Sequence, residues 1–248
     1  MKMIKFYITS SILILSFFVH LNGFAETTES SGFKEQRQQF YEQRKNSGKK
    51  DKFSAEDKKV MKQAADMLAS ELPNPGLHIG EKAPYFSLSN AFGKIIHLSD
   101  ELKKGPVILV FYRGAWCPFC NLHLHVLQQN LHRFKKYNAQ LIAVTPQTPD
   151  KSAGQIKKDK FPFEVLSDTD SRVMKAYNLY YELGDQLTKV YRKHGLDVEA
   201  FNGKGRNVLP VPGTFVIDTK GIIRGVHAET DYKERMEPKD ILKILRAL

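Results

Sequence analysis

The chain is nearly without cysteine and tryptophan: its 248 residues hold two of the first and one of the second. A disulfide-built secreted scaffold distributes cysteine pairs along its length, so this count excludes that class. A structural zinc site needs four ligands and commonly a second Cys pair or a close His pair. Neither accompanies these cysteines, because His123 and His125, two apart on a helix, point away from each other. After Leu21 no apolar run approaches membrane-spanning length, and internal repeats and nucleic-acid motifs are missing as well. That last absence decides how the formal charge of +11 is read. The basic residues fall largely in Lys49-Lys50-Asp51-Lys52, Lys157-Lys158-Asp159-Lys160 and Lys189 to Lys193, interleaved with acids or scattered over polar segments. Such patterns describe solvated helix faces and loops, and no nucleic-acid partner is expected.

The N-terminus has a composition of its own. Lys2 and Lys5 precede an apolar run from Phe6 to Leu21, and Gly23-Phe24-Ala25 offers small residues at a cleavage site. Residues 1–25 are expected to be a signal peptide cut after Ala25, leaving a soluble periplasmic or secreted protein without stable membrane insertion. The alternative is an uncleaved N-terminal anchor, although a run of about 16 residues is short of the roughly 20 that span a bilayer. No cysteine follows the run to carry a lipid. Residues 26–75 form a second region. Its first part, 26–53, is polar and reads as a mobile lead-in or loosely docked helix. Then Ser54 and Asp57 resemble a capping box, Met61, Ala64, Ala65, Leu68 and Leu72 recur at helical spacing, and Pro73 and Pro75 end the helix.

Residues 76–248 alternate strand and helix patterns as one α/β domain. Phe86 to Leu88 and Ile95 to Leu98, around the turn residues Asn90 to Gly93, read as a hairpin. Val107 to Tyr112 is a buried strand, a helix from near Cys117 carries Leu124, Leu127, Leu131 and Phe134 on one stripe, and Gln140 to Val144 returns as a strand. Helices near 149–160 and 169–177 flank the short strand Phe163 to Leu166. The segment from Tyr180 to Pro210 reads as an insertion with one short helix around 186–193. Thr214 to Asp218 and Ile222 to Val226 make a second hairpin, and a closing helix starts at Pro238.

The two cysteines stand three apart in Trp116-Cys117-Pro118-Phe119-Cys120, a spacing that random placement gives about once in 125 trials. Where a buried strand passes into a helix, Cys117 meets the unpaired N–H groups and dipole of the helix N-terminus, which are expected to lower its pKa. Pro118 suits the first helical position, where its missing N–H costs nothing. Cys120, one turn on, is expected to be the more buried and able to close a disulfide with Cys117. A permanent disulfide over a single helical turn closes too little chain to stabilise much, so redox chemistry is the better reading. Trp116 either shapes a docking surface or packs on the helix. His227, Glu229 and Asp231 are spaced like ligands but read as a polar turn after an outer strand.

The stretch Phe111 to Cys120, with Gly80 to Leu88, Leu209 to Asp218 and Asp231 to Arg235, resembles the peroxiredoxin-like branch of the alkyl hydroperoxide reductase and thiol-specific antioxidant (AhpC/TSA) family over residues 76–248. The resemblance implies a thioredoxin fold, a central mixed sheet flanked by helices, with a peroxiredoxin-type N-terminal hairpin. It also implies that Pro212 is a cis-proline facing the CxxC and that the backbone of Val211 is free to pair with a substrate chain, with Thr214 close by. The same matching puts Cys120 at the peroxidatic cysteine, whereas exposure and helix-end position favour Cys117. Arg113 replaces an expected proline, Cys117 a hydroxyl residue and Pro212 an expected arginine; Arg113 can supply the missing cation from another position. Phe111 stands where thioredoxins bury an acid, for which Glu164 and Glu182 are the candidates.

The expected function is an exported thiol antioxidant oxidoreductase that cycles a Cys117/Cys120 dithiol and disulfide, acting on peroxides or disulfides with a thioredoxin-like thiol reductant. No cofactor or metal is implied. A protein-disulfide reductase without peroxidase activity is the alternative, and a copper(I) carrier using the paired thiolates a second.

Overall fold

The computed structural model describes residues 32–48 and 51–248; the expected signal peptide, 1–25, lies outside the described residues. In chain order the elements are α1 (Phe33–Asn46), α2 (Ala55–Glu71), β1 (Ser87–Asn90), β2 (Ile95–His97), α3 (Leu98–Leu102), β3 (Val107–Phe111), α4 (Pro118–Phe134), β4 (Gln140–Thr145), α5 (Pro149–Asp159), β5 (Glu164–Ser167) and α6 (Arg172–Ala176). They continue with β6 (Tyr180–Glu182), α7 (Asp185–Lys193), α8 (Glu199–Asn202), β7 (Val208–Pro210), β8 (Gly213–Ile217), β9 (Ile223–Ala228) and α9 (Pro238–Arg246). Among the described residues no helix is long and apolar enough to cross a membrane.

Seven strands make one mixed sheet in the order β2-β1-β5-β4-β3-β8-β9. The three central strands are parallel, β8 joins β3 antiparallel, and the two hairpins form the edges. β3 is apolar at every position because both its faces are covered. Its odd residues, with Phe215, Tyr177 and Leu166, fill one core layer. Ile108, Val110 and Tyr112 face the other, where Leu124, Leu127 and Phe134 of α4 meet Ile241, Leu242 and Leu245 of α9. This is a thioredoxin-type architecture, and it holds the start of α4 at the C-terminal end of the central strands.

Of the two readings of the stretch before Ser54, a mobile lead-in or a loosely docked helix, the structure has the helix, and the segment 180–210 differs from its reading. The polar stretch before Ser54 contains a well-formed docked helix: α1 lies on α4, and Phe33 is wholly buried against His123, their rings 5.5 Å apart. Its apolar contacts are few, Phe33, Phe40 and Tyr41, and Gln36 and Arg37 join the protein through hydrogen bonds, which is why the stretch is polar. The segment 180–210 is more than an insertion with one helix. β6 and β7 pair antiparallel in a small second sheet, and a second short helix, α8, lies between α7 and β7. Strands of three residues leave too little pattern to read in sequence.

The capping box at the start of α2 is present: the Asp57 N–H donates to Ser54 Oγ and the Ser54 N–H to Asp57 Oδ2. Asp57 also binds Lys193 Nζ at 2.9 Å and His194 Nε2 at 3.0 Å, tying α2 to the end of α7, and these contacts hold its carboxyl well below the ordinary range. Ser54→Ala is expected to lower unfolding stability by about 1 kcal/mol in urea titration, the usual worth of such a cap.

Candidate active site

Cys117 is the N-cap of α4, with extended backbone, and Pro118 takes the first helical position. Cys120 follows one turn deeper. Both are free thiols and each is only 1% exposed. Cys117 lines a cleft of about 440 Å³ walled by Arg113, Trp116, Phe119, Tyr191 and Tyr232, with Arg44, Lys52 and His194 also contributing; Cys120 lies beneath that wall.

The loop that carries the motif is held from below. Ala115 N–H donates to Gln147 Oε1 (2.8 Å), and Asn121 Nδ2 donates to the Ala115 carbonyl (2.6 Å). Asn121 in turn accepts from Gln155, whose oxygen accepts from the buried Tyr112 hydroxyl. Gly114 has φ +148°, and a Cβ there would stand 2.6 Å from Trp116 Nε1 and 3.1 Å from Gln147 Oε1. Gly114→Ala is therefore expected to cost about 1–3 kcal/mol and displace Trp116, visible as a lower thermal midpoint and altered tryptophan fluorescence.

Two guanidinium groups bracket the sulfurs. Arg235, 4% exposed, donates through Nη2 to Cys120 Sγ at 3.3 Å. Arg113, 3% exposed, donates to the Tyr191 hydroxyl (2.8 Å) and is sandwiched between Trp116 and Tyr232, its carbon 4.9 and 4.4 Å from the ring centroids. Burial opposes the charge on Arg113, while the Tyr191 and Tyr181 hydroxyls and both sulfurs favour it. Burial likewise opposes ionisation of Cys120. The hydrogen bond from Cys117, then the charges of Arg235 and Arg113, outweigh it and bring Cys120 well below the ordinary thiol range. Burial and the bond it gives to Cys120 push Cys117 well above that range. The direction is thus opposite to the sequence expectation for Cys117: the hydrogen bond between the thiols favours the charge on Cys120, with Arg235 and Arg113 adding to it.

Other expected residues sit differently from their sequence reading. Among the described residues no peptide bond is cis, so Pro212 is trans. Val211 is fully buried and its N–H already donates to the Leu179 carbonyl at 2.6 Å, so that N–H is not free to pair with a substrate chain. Pro212 and Val211 link β7 to β8 as packing residues. Thr214, on β8 between Val110 and His227, is buried in the sheet on the α4 side. Trp116 is a wall of the cleft, 6.2 Å from the Tyr191 ring, and packs instead of protruding. Glu164 lies at the start of β5 and accepts from Asn90 Nδ2, and Glu182 bonds the Tyr180 hydroxyl. Neither replaces the acid absent at Phe111. Among the described residues no three of His, Cys, Asp and Glu gather as a metal site, His227 and its acidic neighbours included.

Arg235, Asn121, Gln147 and Tyr232 went unassigned as site residues. Arg235 stands 115 positions from Cys120, and nothing local to either marks the contact.

A sequence profile of the AhpC/TSA family matches residues 79–226, more than half of the chain, with both cysteines and Arg113 inside it and Arg44, Lys52, Tyr232 and Arg235 outside. The chain belongs to this family. It is a peroxiredoxin-like, thioredoxin-fold thiol oxidoreductase and a thiol-based antioxidant. Among relatives, a putative peroxiredoxin bcp of Buchnera aphidicola is 31% identical over 116 residues, covering 46% of this chain and 73% of its own. The chloroplastic peroxiredoxin Q of Populus jackii is 24% identical over 169 residues, 68% of each chain. Of solved structures, peroxidoxin BcpB from Mycobacterium tuberculosis superposes with a TM-score of 0.55 at 22% identity, over 71% of this chain and 99% of its own. A PrxQ mutant from Xylella fastidiosa gives 0.54 at 18%, over 70% and 98%. Both share the fold.

Proposed function

We propose that this AhpC/TSA protein is a thiol peroxidase in which Cys120 attacks and Cys117 resolves. The observation that carries the reading is the Arg235 guanidinium 3.3 Å from Cys120 Sγ in a buried setting, an arrangement that favours a thiolate at neutral pH. The Cys120 thiolate attacks the terminal oxygen of the peroxide; the O–O bond breaks, the sulfur becomes a sulfenic acid, and the alkoxide leaves with a proton as alcohol or water. Arg113, facing the cleft as a buried cation, stabilises that departing charge. The Cys117 thiol then condenses with the sulfenic acid, releasing water and forming the Cys117–Cys120 disulfide. A dithiol reductant of the thioredoxin kind returns both thiols by exchange.

Burial favours peroxide over a protein disulfide as substrate. A sulfur 1% exposed beneath the cleft wall admits a small O–O group, while attack on another protein's disulfide needs an accessible sulfur and a free backbone edge, and the Val211 N–H is already taken. Peroxide consumption by the purified protein with a dithiol reductant, run beside insulin disulfide reduction, tests this. Consumption that disappears with both cysteines replaced is the expected result; insulin reduction without peroxide turnover would replace it with the disulfide-reductase reading. We further propose export through residues 1–25, which N-terminal sequencing of the mature protein checks: a start at Glu26 is expected, and retention of Met1 or Lys2 contradicts it.

A further inference from the structure

The loop that carries Arg235 runs from the end of β9 at Ala228 to Pro238 and belongs to no helix or strand. A buried guanidinium on such a loop keeps its place only if the loop is tied from outside. Tyr232 packs on Phe119 and Arg113, and four further hydrogen bonds tie the loop to α1. The Glu237 carboxylate accepts from the first two amide groups of α1, Phe33 N–H and Lys34 N–H, both at 2.9 Å, and so caps a helix whose own N-cap residue, Gly32, has no side chain. A Cβ on Gly32 would meet Glu237 Oε2, so any larger residue there would have to displace the capping carboxylate. One turn along, Arg37 Nη1 donates to the Lys233 carbonyl (2.6 Å) and to Glu234 Oε1 (2.5 Å). Phe33 packs edge-on against His123, whose Nε2 meets the Met236 carbonyl at 3.3 Å. Residues 233, 234, 236 and 237 are thus each held, and Arg235 stands between them, pointing inward at Cys120. Arg37 has a second effect. It engages Glu234, so this carboxylate pairs with α1 and the charge of its neighbour Arg235 is left to the sulfur.

We propose that α1 is a clamp that fixes the Arg235 guanidinium against the Cys120 sulfur, with Arg37 and Glu237 as its positioning residues. The proposal rests on Cys120 being the attacking sulfur but is read without turnover. The charged and titratable groups around Cys120 are Cys117 at the start of α4, Arg113 from the loop before it, Tyr112 following β3, Tyr181 from β6 and Arg235 itself; Arg37 and Glu237 reach only the last of these, through its loop, while the far end of α1 meets the cleft through Arg44 and packs Phe40 and Tyr41 on Phe119. Loss of the Arg37 or Glu237 tie, with the rest of α1 in place, should therefore act on Cys120 through Arg235.

A double-mutant cycle in full-length Cys117→Ser protein isolates this dependence, with the ionisation midpoint of Cys120 taken from the pH dependence of iodoacetamide alkylation and of thiolate absorbance. Arg37→Ala is expected to raise the midpoint by about one pH unit, slowing alkylation about tenfold at a pH below both midpoints. Arg37→Lys should restore part of it, since Lys keeps the charge and a donor but not the planar reach of the guanidinium. In an Arg235→Ala background, Arg37→Ala should shift nothing further. An unchanged midpoint in Arg37→Ala, or the same shift with and without Arg235, overturns the clamp. Glu237→Gln, which keeps the size and one acceptor oxygen, serves if circular dichroism shows Arg37→Ala unfolded, and the same two outcomes decide it. A chain that turns over no peroxide can still pass this test, and an active peroxidase can fail it, so the two readings stand or fall separately.

Discussion

Cys120→Ser is expected to lower peroxide consumption by about a thousandfold or more, to the level of the protein lacking both cysteines. A serine hydroxyl stays protonated even beside Arg235, so the site keeps its cations and loses its nucleophile. Cys117→Ser should behave differently. The first equivalent of peroxide is consumed, since Cys120 keeps its sulfur and its cations, and then the enzyme stalls as a sulfenic acid with no thiol at the mouth to condense with it. A burst of one equivalent followed by slow turnover is the expected time course. Steady-state rates alone would make the two variants look alike; rapid-mixing measurements separate them.

Arg235→Ala carries the second large effect, about a hundredfold in kcat/KM at neutral pH, which is the scale seen when one preorganised donor to a developing or resting anion is removed. Its sign follows from the linkage between charge and ionisation. A fixed cation at 3.3 Å favours the thiolate, so its removal raises the Cys120 ionisation midpoint. The native protein should therefore be nearly indifferent to pH around neutrality, whereas the variant should lose about tenfold in rate for each pH unit below its new midpoint and recover toward native rates in alkali. Arg235→Lys should lie between the two. Arg113→Ala should differ in kind: this cation faces the cleft more than the sulfur, packed between Trp116 and Tyr232, so its loss should lower the rate at every pH with less change in the midpoint. A pH profile of each variant under single-turnover conditions distinguishes the two roles.

Much of the site was legible in sequence because its parts are close together. The continuous apolar run of β3 followed by Trp116-Cys117-Pro118-Phe119-Cys120 is enough to seat two thiols at a helix start, and the sheet order follows from alternation of strand and helix with hairpins at either end. Which sulfur carries the charge was not legible. Helix-end electrostatics pointed to Cys117 and family position to Cys120, and the deciding group, Arg235, arrives from 115 residues away on a loop with no regular structure. Local rules also left α1 undecided, its polar face outnumbering its buried one, and failed for β6 and β7, too short to show a period. The expectation for Val211 and Pro212 failed for a different reason. It borrowed a substrate-pairing edge from thioredoxins, and here the Val211 N–H is already spent on Leu179. The replacement of a hydroxyl residue by Cys117 was visible from the start, but its meaning depends on the geometry: a thiol that donates to Cys120 in the resting state is already placed to bond to it after oxidation.

The most direct test of Cys120 as the attacking sulfur is to treat the Cys117→Ser and Cys120→Ser proteins with one equivalent of peroxide in the presence of a sulfenic-acid trap and locate the adduct by mass spectrometry. An adduct on Cys120 in the first protein, and none on Cys117 in the second, is the predicted result. An adduct on Cys117 with Cys120 unmodified would contradict it and return the chemistry to the helix N-terminus.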